Sequence, residues 1–250
     1  MATILCLHGW TMDCRVWADA ARRLAPPFRV LAPDLPGHGA ARGHALSIDG
    51  AAEALAAVVA AEGRVTLVGW SMGATVAWRY LARFGPARVA GMVALDMSPR
   101  VLNGPGWSLG LRGADGAAPA KVAWLRGRWP EAAPMIAHGM YGAAGTAPLL
   151  PRAEAEARIA ACDPAAMAEV WASLLEADER RTVARLAVPM LVIHGAQSRL
   201  YPAATAEWLE AAAPRATRVC FAASGHSPHL EEPERFADIL GAFAAALQPT

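Results

Sequence analysis

Cysteine is scarce and poorly spaced for metal or redox chemistry. The four, Cys6, Cys14, Cys162 and Cys220, form no C-x-x-C pair and no zinc-type pattern. Cys6 and Cys220 lie in apolar, strand-like runs, where a thiol behaves as a small hydrophobe. A cysteine-held metal centre and a disulfide framework are therefore not expected, and no bound cofactor is expected either. Long apolar runs are missing too. No segment reaches the roughly 18 consecutive apolar residues of a membrane helix, and the Ala-rich stretch around Ala51–Ala61 is broken by Glu53 and Glu62. The N-terminus, Met-Ala-Thr-Ile-Leu-Cys-Leu-His, lacks a basic start and a proper apolar stretch. No signal peptide is read, and cytoplasmic residence is expected. Excess charge is also absent. A formal net charge of +1 argues against a general nucleic-acid binder.

What is present is a large apolar fraction. Of 250 residues, 55% are hydrophobic and 18% charged, which suits one large domain, or one domain with an insertion, around a substantial core. Short apolar runs at Thr3–Leu7, Phe28–Ala32, Arg64–Val68, Val89–Leu95, Val188–Ile193 and Thr217–Phe221 alternate with helical stretches. The runs are nearly continuous rather than alternating, as parallel strands covered on both faces are. This predicts an α/β protein with a mostly parallel sheet of about six strands and helices on both faces. Among the helices, Ser47 should cap Ile48–Ala61, Arg15–Leu24 should end at Pro26-Pro27, and Ala203–Ala212 should follow the fifth strand. Between Ser98 and Ala187 no strand is read. A Gly/Pro-rich stretch over 103–119 is followed by helix-like pieces near 120–128, 131–138, 152–161 and 165–177. The expected division is a core of 1–97 and 188–250 with a helical insertion at 98–187.

Gly69-Trp70-Ser71-Met72-Gly73 fits G-x-S-x-G, with an apolar strand before it and a helix after it. The two glycines permit a turn that throws Ser71 above the sheet edge, at a helix N-terminus that favours negative charge. A serine hydroxyl needs a base. His226, in Gly225-His226 straight after the last strand, is preferred over His229. Two donors are needed for an oxyanion. The backbone N–H groups of Met72 and of Trp10, in His8-Gly9-Trp10, are expected to supply them. Trp10, Trp70 and Met72 are the expected substrate contacts.

Together these residues resemble the α/β-hydrolase superfamily. The matching signposts run in the family's order: Leu7-His8-Gly9-Trp10, the segment Asp34-Leu35-Pro36-Gly37-His38-Gly39, the Ser71 motif, Val188-Pro189 with His194-Gly195, and Gly225-His226 with Glu232-Pro233. The chain looks most like the carboxylesterases of biotin synthesis, which hydrolyse the methyl ester of pimeloyl-acyl carrier protein. That resemblance implies a carboxylesterase forming an acyl-enzyme, a lid over the active site made by 98–187, a small ester as substrate and an acyl carrier protein as a candidate partner. The family usually has extra strands before its His-Gly strand; here that strand starts almost at Met1, so six strands are expected, with the first in sequence placed second in the sheet. Thioesterase, lactonase, C–C hydrolase and cofactor-free haloperoxidase chemistry share the same triad, and a non-catalytic small-molecule receptor is the reading from a different class.

The chain departs from the family at the acid. The family's usual position, shortly after His194-Gly195, is Ser198 here. Asp96 is the expected substitute, because it ends the strand beside the nucleophile's strand, about 4.8 Å away. Asp34, Asp13 and Asp178 are weaker candidates. On this reading Ser198→Ala should be mild. In the insertion, Trp107, Trp124, Trp129 and Trp171 with Met135, Met140 and Met167 could wall an acyl pocket, one or two of the tryptophans touching substrate. Arg112, Arg126, Arg128, Arg152 and Arg158 offer a basic face to an acidic carrier protein.

Overall fold

A computed structural model describes residues 1–114, 118–142 and 147–248. Six strands, β1 (Ala2–Leu7), β2 (Phe28–Leu31), β3 (Val65–Trp70), β4 (Val89–Leu95), β5 (Met190–Gly195) and β6 (Ala216–Phe221), form one sheet in the order β2-β1-β3-β4-β5-β6. Every pairing is parallel. Parallel neighbours need crossovers, and the helices supply them. These are α1 (Ala18–Leu24), α2 (Ile48–Ala61), α3 (Met72–Phe84), α9 (Ala203–Ala212), α10 (Pro228–Glu231) and α11 (Pro233–Ala246) around the sheet. Between β4 and β5 lie α4 (Ala118–Gly127), α5 (Trp129–Gly139), α6 (Arg152–Ala160), α7 (Pro164–Glu176) and α8 (Arg180–Ala184).

Strand periodicity sorts the core into two layers. Leu5 and Leu7 of β1 join Leu67, Met92 and Val192 in a cluster with α2, α3 and α9. Ile4 and Cys6 join Val68, Val93 and Ile193 in a second cluster with α1 and α11. The central strands are therefore sealed on both faces, which is why they read as continuous apolar runs. The last strand differs: β6 is an edge on which Thr217 and Cys220 are exposed and only Phe221 is buried. Helix α2 starts as its cap requires, with Ser47 Oγ accepting from Gly50 N at 3.0 Å. In the insertion α4 packs on α7 and α5 on α6. Residues 115–117 of the Gly/Pro-rich stretch lie outside the described residues. Among the described residues no helix is long and apolar enough to cross a membrane.

Candidate active site

Among the described residues three non-glycines have positive φ: Thr11 at 68°, Ser71 at 53° and Asp96 at 41°. They follow β1, β3 and β4 on one edge of the sheet. Such backbone costs on the order of 1–3 kcal/mol per residue and persists where its surroundings enforce it. At Ser71 the enforcement is visible. A Cβ added at Gly69 would lie 2.4 Å from Ala74 N, and one at Gly73 would lie 2.3 Å from Leu7 O. Both contacts are with backbone, so only glycine lets β3 and α3 meet at this angle. Ser71 sits at the turn, before the first N–H groups of α3, which have no carbonyl one turn earlier to serve.

Asp96 leaves β4 beside this turn. Its Oδ2 accepts from His226 Nδ1 at 2.7 Å, with both side chains nearly sealed from solvent. The structure thus brings Asp96 and His226 together at the end of β4. The same oxygen accepts from Ser198 Oγ at 2.6 Å. The other acidic candidates are engaged elsewhere: Asp13 pairs with Arg15, Asp178 pairs with Arg180, and Asp34 accepts from Cys14 N and Ala40 N within its loop.

The His226 loop is held by its backbone. Trp70 Nε1 donates to His226 O at 2.7 Å. Gly225 N and Ser227 N, on either side of the histidine, both donate to Glu231 Oε1, at 2.9 and 3.2 Å. The other Glu231 oxygen accepts from Gly142 N at 2.8 Å, and Ser227 Oγ donates to Met140 O at 2.8 Å. One buried carboxyl therefore fixes both flanks of the imidazole and ties the insertion to them. Burial pushes its pKa up, against the backbone donors and His226, which favour its charge. Sequence reasoning missed Glu231, since only its neighbours Glu232-Pro233 belonged to a motif.

Two further histidines, His8 and His38, stand in the family's motifs, and the structure gives them a role. His8 donates from Nδ1 to Gly9 O at 2.8 Å and accepts from Leu35 N at Nε2, 2.9 Å away. His38 donates to Pro36 O and accepts from Thr11 N at 3.2 Å. Each ring needs one bare nitrogen, so each must be neutral. Burial enforces this, lowering the pKa of His8 and pushing that of His38 down to about 3. The pair clamps the Gly9–Thr11 turn, which carries the Trp10 N–H, onto the loop of Asp34.

A cavity of about 440 Å³ opens above these groups. Ser71, His226, Trp10 and Trp70 lie on its wall, opposite Trp124, Met135, Met140 and Trp171 of the insertion. Among the described residues no Asp, Glu, Lys or Arg lines it. Met72 lies apart from this wall. Its side chain, expected at the substrate, is buried in the core and does not line the cavity. Trp107 also lies elsewhere, edge-on to Trp208, while Trp129 backs Trp10 with ring centroids 5.9 Å apart.

His229, the rival base, does not approach Asp96. It is buried between Trp17 and Trp70, with centroids 4.5 and 4.6 Å away, and neither ring nitrogen has a partner among the described residues. Desolvation pushes its pKa down to about 3. An unfolded histidine binds a proton below about 6.5. The unfolded chain therefore holds more protons between about pH 6.5 and 3. Stability is complete above that window and is lost as pH falls through it, by up to about 1.4 kcal/mol per pH unit for each such group. His229→Leu removes one of them and breaks no hydrogen bond. Its melting temperature should stay within a few degrees of wild type at pH 7 and fall less steeply towards pH 4. Parallel melting curves would refute the assignment.

An elbow serine, a buried carboxylate–imidazole pair and a sheet of this order define a class. The chain belongs to the alpha/beta hydrolase family, whose model matches residues 4–239. It is 32% identical over 238 residues to a pimeloyl-[acyl-carrier protein] methyl ester esterase of Nitrosomonas europaea, covering 93% of this chain and 92% of that protein. The fold resembles that of an esterase from Exiguobacterium antarcticum (TM-score 0.88, 20% identity, 98% of this chain and 92% of that one). A bromoperoxidase from Bacillus anthracis matches equally well, with a TM-score of 0.88, 20% identity and the same coverage. The fold is shared by both names, so chemistry has to be argued from the site.

Proposed function

We propose that this protein is a carboxylic ester hydrolase. Ser71 attacks the ester carbonyl, His226 takes the hydroxyl proton and passes it to the departing alcohol, and Asp96 holds the imidazole and offsets its charge. The N–H groups of Trp10 and Met72 receive the oxyanion. The alcohol leaves, an acyl-Ser71 ester remains, and water activated by His226 releases the acid. The observation that carries this reading is the 2.7 Å Asp96–His226 contact behind an elbow serine on one apolar cavity. Residues 98–187 act as the lid, with Trp124 and Trp171 walling the substrate. The uncharged wall favours an apolar acyl or alkyl group over one bearing a free carboxylate.

The relatives' substrate is carrier-bound, and a carrier-linked ester fits here as well. The methyl ester end would enter the cavity while the carrier stays outside. Arg112, Arg126 and Arg152 are exposed on the insertion, whereas Arg128 pairs with Glu131 and Arg158 with Glu154. Wild-type protein should be labelled at Ser71 by a fluorophosphonate. It should hydrolyse p-nitrophenyl esters with a preference for medium acyl chains over acetate. No labelling and no hydrolysis would overturn the enzyme reading in favour of a binding protein. A salt-sensitive preference for carrier-linked over free methyl esters supports carrier docking, and equal rates on both exclude it.

A further inference from the structure

We propose that Ser198 is a positioning residue of the same relay, one that holds the Asp96 carboxylate in place and aimed at His226. This rests on the triad reading above. Asp96 Oδ2 receives two donors, His226 Nδ1 at 2.7 Å and Ser198 Oγ at 2.6 Å. A hydroxyl has one proton and two lone pairs. Ser198 Oγ also accepts from Leu200 N and Tyr201 N, each at 3.3 Å. Its acceptor side is engaged, so its proton goes to Asp96. A donor fixed in that sense favours the carboxylate over an acid protonated on that oxygen.

The backbone supports the same geometry. Ser198 N donates to Gly195 O at 3.1 Å, closing the turn off β5, and Asp96 N donates to Ile193 O of β5 at 2.8 Å. Asp96 is thus anchored to β5 by main chain and side chain at a φ of 41° that it would not otherwise hold. Burial holds His194 below and Tyr201 above their ordinary pKa values. Ser198 supplies the second hydrogen bond that a nearly sealed carboxylate needs.

Ser198→Ala should lower kcat about tenfold, the loss of one charge-assisted hydrogen bond, with KM little changed. The acid limb of kcat/KM should move to higher pH, because a carboxylate stripped of a donor is a stronger base towards the imidazolium. A merely structural serine would leave that limb in place. The second measurement exploits the shared oxygen. A carboxylate at position 198 reaches one atom beyond the hydroxyl, to the place where Asp96 Oδ2 meets His226. Asp96→Ala/Ser198→Asp, in which that place is vacated, should therefore be at least about 100-fold more active than Asp96→Ala alone. Wild-type kcat and acid limb in Ser198→Ala overturn the proposal. If that variant does not fold, equal activities of the single and double variants overturn it. Failure of the hydrolase reading would show separately, as a wild-type protein that a fluorophosphonate does not label.

Discussion

Replacing His226 with alanine should lower kcat for ester hydrolysis by about six orders of magnitude, the scale reached when a serine loses its base. The fold should survive. The hydrogen bonds that hold the main chain around position 226 do not use the imidazole: Trp70 Nε1 donates to the His226 carbonyl, and the N–H groups of Gly225 and Ser227 donate to Glu231. Alanine keeps all of them and removes only the imidazole. No neighbour can take over. His229 is enclosed by Trp17 and Trp70, and its pKa is pushed down to about 3. The residual rate would come from the oxyanion donors and binding, about 10³–10⁴ over water in comparable enzymes. Initial rates on a p-nitrophenyl ester and fluorophosphonate labelling, beside an unchanged melting temperature, make the check. A folded variant within about 100-fold of wild type would remove His226 from the mechanism.

The parts of this fold that local chemistry dictates were legible in the sequence. Val89–Leu95 and Ala203–Ala212 have the bounds expected of them, as does the Ser47-capped helix Ile48–Ala61. Each is delimited by a cap or by a change of composition. β5 starts two residues later than its apolar run, after Pro189, which has no N–H to give a ladder. The stretch read as one helix over Arg15–Leu24 is a 3₁₀ turn, Cys14–Trp17, followed by α1. α8 and α10, of five and four residues, are too short to show a period.

The site divides in the same way. The Ser71 turn is set by Gly69 and Gly73, which are local, and Asp96 could be placed because adjacent parallel strands end together. Met72 shows the limit: adjacency to the nucleophile fixes its N–H, but the first turn of α3 sends its side chain into the core. Ser198, Glu231, His8 and His38 act through contacts that exist only once distant loops have met. Their spacing carried no sign of this. Ser198 is the sharpest case. In sequence it marks a missing acid, and in the structure its hydroxyl is bonded to the acid that replaces it.

Asp96→Asn should lower kcat by three to four orders of magnitude while the melting temperature changes little, and the size of the loss will show how the amide settles. Ser198 Oγ and His226 Nδ1 both donate to one carboxylate oxygen. If the amide oxygen takes that place, both bonds and the imidazole tautomer survive, and only the negative charge is lost. A charge pair about 4 Å apart at an effective dielectric constant of about 20 is worth about 4 kcal/mol, or about 10³ in rate. If the amide NH₂ takes that place, it forces the proton onto Nε2, so the base cannot accept from Ser71. The loss then approaches the about 10⁴ measured where a triad aspartate is replaced and the tautomer is wrong. Ser198 favours the first orientation, because its proton needs an acceptor at that oxygen. The expected result is therefore a loss near 10³ with the acid limb of kcat/KM moved to lower pH, since the imidazolium has lost its counter-charge. A variant within tenfold of wild type would take Asp96 out of the triad.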